Sequence, residues 1–156
     1  MKKVNIGQAM GVLANVGVLV GILLLVYELS LNRQMMRAQT RNAIAETLVT
    51  IQLAQATSPE LLQMVVKSNA GEQLTPLEHA GLQRLWRAYF RYWENVNYQY
   101  RNGLYDDIEY FSQREAWRVP LTSNAWVREF WCGRQDVQSP QFYNEITGLL
   151  GGSGCD

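Results

Sequence analysis

The sequence predicts an all-α protein in which a single N-terminal transmembrane helix continues into a small helical bundle. Residues 6–27 form a run of 22 residues without a charged side chain. Three later segments begin with serine or threonine followed by proline, which is a common start of a helix. We find no run of alternating β-branched residues that would predict a strand.

The composition excludes several classes of protein. The chain has 156 residues, which suits one modest domain, and its 47% hydrophobic content excludes a disordered chain. Two cysteines are too few for a disulfide-dense secreted scaffold. The 14 basic and 14 acidic side chains cancel, which argues against a nucleic-acid partner. They are unevenly placed, however, because residues 1–45 carry a net +4 and the remainder a net −4.

The charge-free run has the length of a membrane anchor. At about 1.5 Å per residue it spans about 33 Å, more than the hydrocarbon core of about 30 Å. A buried helix of a soluble protein is the alternative, but such a run is usually shorter. A cleaved signal is disfavoured because residues 28–32 offer no small-residue cleavage site. We therefore predict an uncleaved anchor over residues 1–28.

One face of this anchor is predicted to pack against another helix. At about 100° per residue, five small residues and one acid fall within an arc of about 120°. Small residues at this spacing let helix backbones approach closely in lipid. The predicted partner is another transmembrane protein or a second copy of the chain. The face consists of Gly7, Gly11, Ala14, Gly17, Gly21 and Glu28.

Residues 29–57 are predicted to form a helical stalk, because no glycine or proline interrupts the chain between residues 22 and 58. Arg33, Arg37 and Arg41 form a stripe on it that would contact anionic lipid headgroups, each gaining about 1 kcal/mol. Ile44, Leu48 and Ile51 continue on the same side, so we expect the bundle to pack there.

The charges beside the anchor give only a narrow preference for its orientation. Lys2 and Lys3 precede it, and the three arginines follow it. Counting lysine and arginine near the ends favours a cytoplasmic C-terminal domain at the inner membrane.

Residues 58–150 are predicted to form the helical domain, followed by a flexible glycine-rich tail at 151–156. Predicted N-caps are Ser58, Thr75 and Ser139, and capping-box spacings occur at Thr75/Glu78 and Asp106/Glu109. Glycines mark the predicted helix ends at Gly71, Gly103 and Gly133. The predicted helices are 59–70, 76–101, 107–118, 124–132 and 140–150.

The helix at 76–101 is predicted to be the centre of the domain. Its apolar face would form the core with Leu82, Leu85, Trp86, Tyr89, Phe90, Trp93 and Val96. Arg91 and Glu94 lie three residues apart and are predicted to form a structural ion pair. The alternative is that Glu94, between aromatic residues, has a raised pKa and acts as an acid.

Metal and cofactor motifs are not found. The single histidine, His79, has no glutamate at the spacing of a di-iron site and is predicted to be a surface or packing residue. Cys132 and Cys155 lack the spacing of a zinc or redox motif, and the sequence leaves their role open. We predict no catalytic residues, no metal and no cofactor.

Short motifs spread along the chain carry a resemblance. They are Val26-Tyr27-x-Leu29, Arg33-Gln34, Arg91-Tyr92-x-Glu94-Asn95-x-x-Tyr98, Gly103-Leu104, Trp126 and Ser139-Pro140-x-Phe142. Together they resemble a group of small bacterial inner-membrane proteins with one N-terminal span and a helical domain. The resemblance implies bacterial origin and this topology, and it implies no activity.

The sequence therefore favours a non-enzymatic accessory, scaffold or assembly subunit of a larger membrane complex, for example an energy-transducing one. Expected partners are membrane lipids and other transmembrane proteins or further copies of the chain, but no nucleic acid. One alternative is a membrane-anchored sensor that binds a small apolar ligand between the aromatic helices. Another is a membrane-anchored enzyme that uses Glu94 or Asp106 and Asp107.

Overall fold

A computed structural model describes residues 6–151 and residue 155. These residues form six α-helices and one short 3₁₀-helix, and no strand occurs among them, so the predicted all-α fold class is confirmed. The α-helices are α1 (Ile6–Ala56), α2 (Pro59–Asn69), α3 (Pro76–Arg101), α4 (Asp107–Ser123), α5 (Ala125–Cys132) and α6 (Pro140–Leu149). The 3₁₀-helix, Gln135–Val137, lies between α5 and α6.

Contacts divide the chain into two units, Met1–Gln39 and Thr40–Asp156. The first unit contains most of α1, which includes residues 6–28 of the predicted anchor and continues along the predicted stalk to residue 56. Among the described residues, α1 is the one helix long and apolar enough to cross a membrane. None of its most apolar segment is buried. Lys2 and Lys3 lie outside the described residues.

The second unit is built around an aromatic core. Phe90 of α3 is fully buried, and its ring lies 5.0 Å from that of Trp131 on α5, centroid to centroid. Trp131 in turn lies 5.5 Å from Phe142 on α6, and both are fully buried. Ile44 is buried, while Leu48 and Ile51 pack against the same core. The predicted packing of the bundle on this part of α1 is therefore confirmed.

The predicted apolar face of α3 is mostly core. Leu82, Leu85, Phe90, Trp93 and Val96 are buried. Its two other predicted members, Trp86 and Tyr89, are only half-buried, since they line an open groove described below.

Two predicted helix starts are confirmed, and two differ in detail. Ser58 accepts a hydrogen bond from the backbone of α2, and Thr75 forms the predicted capping box with Glu78. Asp106 caps α4, but the carboxylate of Glu109 binds an arginine instead of completing the box. Ser139 precedes α6 without a side-chain capping bond.

Two of the three predicted glycine helix ends are confirmed, and α4 ends later than predicted. Gly71 and Gly103 have φ of +69°, the left-handed conformation predicted for a helix end, whereas Gly133 has φ of −75°, which any residue can adopt. Helix α4 continues past the predicted end at 118 to Ser123 and contains Pro120 in its last turn. The fixed φ of proline is near the helical value, and its missing N–H removes one helical hydrogen bond.

A buried asparagine begins α5 and joins it to α2. The Oδ1 of Asn124 accepts the Val127 N–H at 3.1 Å, which caps α5. Its Nδ2 donates to Ser68 Oγ at 3.0 Å and to Asn69 Oδ1 at 2.8 Å. Because both polar ends of Asn124 are satisfied, its burial does not leave an unpaired polar group.

Glu78 makes the stability of the domain depend on pH. A hydrogen bond from Lys67, at 2.5 Å, and then bonds from Thr75 lower the pKa of Glu78 from 4.5 to about 2. A carboxylate whose pKa is lower in the folded state contributes stability above its unfolded pKa and loses it as the pH falls.

We expect the unfolding free energy of Glu78→Gln to fall less steeply between pH 4.5 and about 2 than that of the original chain. Urea titrations across this range test it, with exposed Glu72→Gln as the control. If the unfolding free energy of Glu78→Gln falls with pH as steeply as that of the original chain, Glu78 is not the group responsible.

Candidate functional site

The predicted packing face of α1 lies in the first unit and is uncovered there. A Cβ added at Gly11, Gly17 or Gly21 would meet no atom within 4 Å beyond the neighbouring turns of the helix itself. The other members of the face are exposed, namely Gly7, Ala14 and Glu28. A helix from outside the chain could therefore approach this backbone closely.

The three arginines predicted to contact lipid headgroups divide between the two units. Arg33 and Arg37 belong to the first unit and are exposed. Arg41 belongs to the second, where its Nε donates to Glu109 Oε1 at 2.6 Å. The sequence did not reveal this partner, because the two residues are 68 positions apart. The Arg41 side chain is still 67% exposed, and headgroup contact by the three arginines stays a prediction.

Arg91 and Glu94 form the predicted ion pair, with 2.5 Å between Nη1 and Oε2. Each also binds the segment before α6. Arg91 Nη2 donates to the Val137 carbonyl at 3.1 Å, and Glu94 Oε1 accepts the Ser139 backbone N–H at 2.8 Å. The pair therefore joins the start of α6 to α3, and Glu94 accepts the backbone N–H of the N-cap residue itself.

The environment of Glu94 opposes a role as a general acid. Burial raises its pKa, but hydrogen bonds from Ser139 and Arg91 outweigh that effect and hold the pKa below its ordinary value. A general acid working near neutral pH needs a raised pKa. The geometry supports the structural interpretation of this pair.

An apolar groove of about 320 Å³ opens in the second unit between α1, α3 and α4. Aromatic rings form most of its wall, with Trp86, Trp93 and Trp117 as the largest. Pro120 and Ala116 complete it on the α4 side. Because proline has no N–H, it cannot donate the usual helical hydrogen bond to the Ala116 carbonyl. Arg91 and Glu94 are not among its lining residues.

A second, more polar groove of about 600 Å³ contains the single histidine. His79 is exposed at the start of α3, and its Nδ1 accepts the indole N–H of Trp126 at 3.2 Å. In the neutral ring this bond leaves the proton on Nε2. Glu129 lines the same groove, but its side chain has no hydrogen bond to the histidine.

The two cysteines form a disulfide that the sequence did not reveal. The Cα atoms of Cys132, at the end of α5, and Cys155 are 5.3 Å apart, and both residues pack against the core. The predicted tail at 151–156 is thus fastened at Cys155, while residues 152–154 and 156 lie outside the described residues. The available signal was an even number of cysteines, one of them in the segment that follows the last predicted helix.

Similarity to known proteins does not show a family for the chain. It matches no protein-family model, no curated protein and no solved structure. Its function must therefore be inferred from the surfaces described above. Within the part of the chain that the structure describes, no three histidine, cysteine or acidic side chains come together as metal ligands would.

Proposed function

We propose that the chain is a single-pass protein of the bacterial inner membrane that acts as a non-catalytic accessory, scaffold or assembly subunit of a larger membrane complex. An energy-transducing complex is one candidate host. The glycine face of α1 would pack against a partner span, and the helical domain would supply contacts outside the bilayer.

The observation that carries this proposal is the uncovered face at Gly11, Gly17 and Gly21 on an apolar, unburied helix. A solitary anchor needs only an apolar surface toward lipid. A face of small residues lowers the contact area with lipid and favours close helix packing, which stabilises an assembly. The structural roles of Glu94, which binds the start of α6, and of Asp106, which caps α4, support a non-catalytic function, because the sequence marked both carboxylates as candidates for an enzyme site.

Enlarging the glycine face is expected to weaken association. Gly17→Leu/Gly21→Leu should reduce binding to the partner, or self-association, about tenfold or more, because two leucine side chains keep the backbones apart. The chain itself offers no clash at either position, so its own fold should be unaffected. Energy transfer between labelled copies in bilayers measures self-association, and co-purification from native membranes measures a different partner.

The matched control places similar bulk on the opposite face. Leu19→Phe/Leu23→Phe enlarges two exposed residues there and should leave association unchanged. If both double variants associate as strongly as the original chain, the small residues do not form the interface.

A sensor is the second candidate, and the aromatic groove favours it. A volume of about 320 Å³ lies at the small end of the range for ligand sites and suits a compact apolar molecule. Its tryptophans would report binding directly, since a brominated alkyl carboxylate quenches indole fluorescence on contact.

Filling the groove separates the two candidates. In chain reconstituted into lipid nanodiscs, Ala116→Phe should abolish saturable quenching by the brominated probe if the groove is a binding site. Ala43→Phe, at an exposed position outside the groove, should leave quenching unchanged. Quenching that never saturates, or that is equal in both variants, would remove the sensor candidate.

A further inference from the structure

The disulfide carries information about the side of the membrane on which the domain folds. Cys132 and Cys155 are 23 residues apart in sequence, and their Cα separation of 5.3 Å lies within the range for disulfides. No cysteine in the described part of the chain is left as a thiol. The bond fastens the segment after α6 to the end of α5.

Such a bond depends on the compartment. Glutathione and thioredoxin keep structural thiols reduced in the cytoplasm, whereas disulfides form and persist on the extracytoplasmic side of the membrane. A domain facing the cytoplasm would therefore contain two thiols at these positions.

The charges beside the anchor do not oppose an extracytoplasmic domain. Two lysines on one side face three arginines on the other, a difference of one charge. One of those arginines, Arg41, also pairs with Glu109 inside the folded second unit. With the charge count balanced, the disulfide is the more decisive observation.

We propose that the helical domain lies on the extracytoplasmic side with the N-terminus in the cytoplasm, and that Cys132 and Cys155 are the substrate pair of a thiol oxidase there. This reverses the orientation favoured by the arginine count, and it rests on the proposed membrane anchoring. The domain's partners would then be extracytoplasmic domains of membrane proteins.

The oxidation balances with a protein disulfide as the oxidant. The thiolate of one cysteine attacks the disulfide of the oxidase, forms a mixed disulfide and releases one oxidase thiol. The thiolate of the other cysteine then attacks the mixed disulfide and displaces the second oxidase thiol. The two electrons and two protons of the substrate thiols end on the oxidase, whose disulfide becomes a dithiol.

Thiol trapping in cells tests the proposal on the unaltered chain. Acid-quenched bacterial cells are treated with a polyethylene-glycol maleimide before and after reduction. We expect no adduct before reduction and two adducts after it, and two adducts without reduction in cells that lack the thiol oxidase. Cys155→Ser should give one adduct without reduction. Two adducts without reduction in cells with the oxidase would overturn the proposal.

A topology measurement provides an independent check. In a Cys132→Ser/Cys155→Ser background, Glu72→Cys places a thiol at an exposed position between α2 and α3. An impermeant maleimide should label it in intact spheroplasts, and labelling only after lysis would overturn the orientation. Extraction with alkaline carbonate separates the two proposals. Release of the chain would overturn the anchoring and the topology together, whereas a retained but shielded chain overturns the topology alone.

Discussion

Phe142→Ala is expected to reduce the unfolding free energy by about 3–5 kcal/mol, a large part of the roughly 5–15 kcal/mol that stabilises a typical domain. Phe142 is fully buried, and its ring meets Trp131 at 5.5 Å and Trp117 at 6.4 Å between centroids. Removing the ring leaves a cavity where α4, α5 and α6 converge. Urea unfolding of the full chain, followed by tryptophan fluorescence and helical circular dichroism, measures the loss.

A second phenylalanine provides the matched control. Phe111 on α4 is 51% exposed, and its ring makes edge-on contacts with Tyr100 and Tyr110. Phe111→Ala should cost about 1 kcal/mol, because less apolar surface returns to water. Equal losses for the two variants would contradict the assignment of Phe142 to the centre of the core.

Cys155→Ser is expected to reduce the unfolding free energy by about 3 kcal/mol under oxidising conditions. The bond closes a loop with a sequence separation of 23. In the chain-entropy description, its loss raises the conformational entropy of the unfolded chain, and this lowers the unfolding free energy by about 3 kcal/mol. The loosened segment should also expose part of the α5–α6 contact to solvent. Urea unfolding with and without a reductant measures both states.

The disulfide effect has an internal check, because both cysteines act through one bond. Cys132→Ser/Cys155→Ser should cost about as much as either single variant, and a reductant should lower the original chain to the same stability. Additive losses, or an original chain that is insensitive to reductant, would show that the bond does not stabilise the domain.

Local signals explain why much of the fold was predictable. The bounds of α3 follow from a capping box at its start and a left-handed glycine just after its end, and both act within a few residues. The long apolar helix at the start of the described residues was predictable for the same reason, since the absence of charge over one stretch is visible without knowing any tertiary contact.

The features that were missed join residues distant in sequence. Glu109 had the spacing of a capping box, but a tertiary contact with Arg41 takes its carboxylate. Ser139 had the position of an N-cap, but its side chain makes no capping bond, and its backbone N–H donates to Glu94, 45 residues earlier. The spacing of the cysteines likewise matched no motif, because α6 brings the chain back to α5.

The most direct test of the proposed function is purification of the chain from its native membrane in a mild detergent, followed by native mass and composition analysis. We predict a particle larger than the 17.9 kDa chain, containing other membrane proteins or further copies of the chain. Gly17→Leu/Gly21→Leu should shift the chain toward the monomer. A stable monomer of the original chain, with no co-purifying protein, would contradict a role in a membrane assembly.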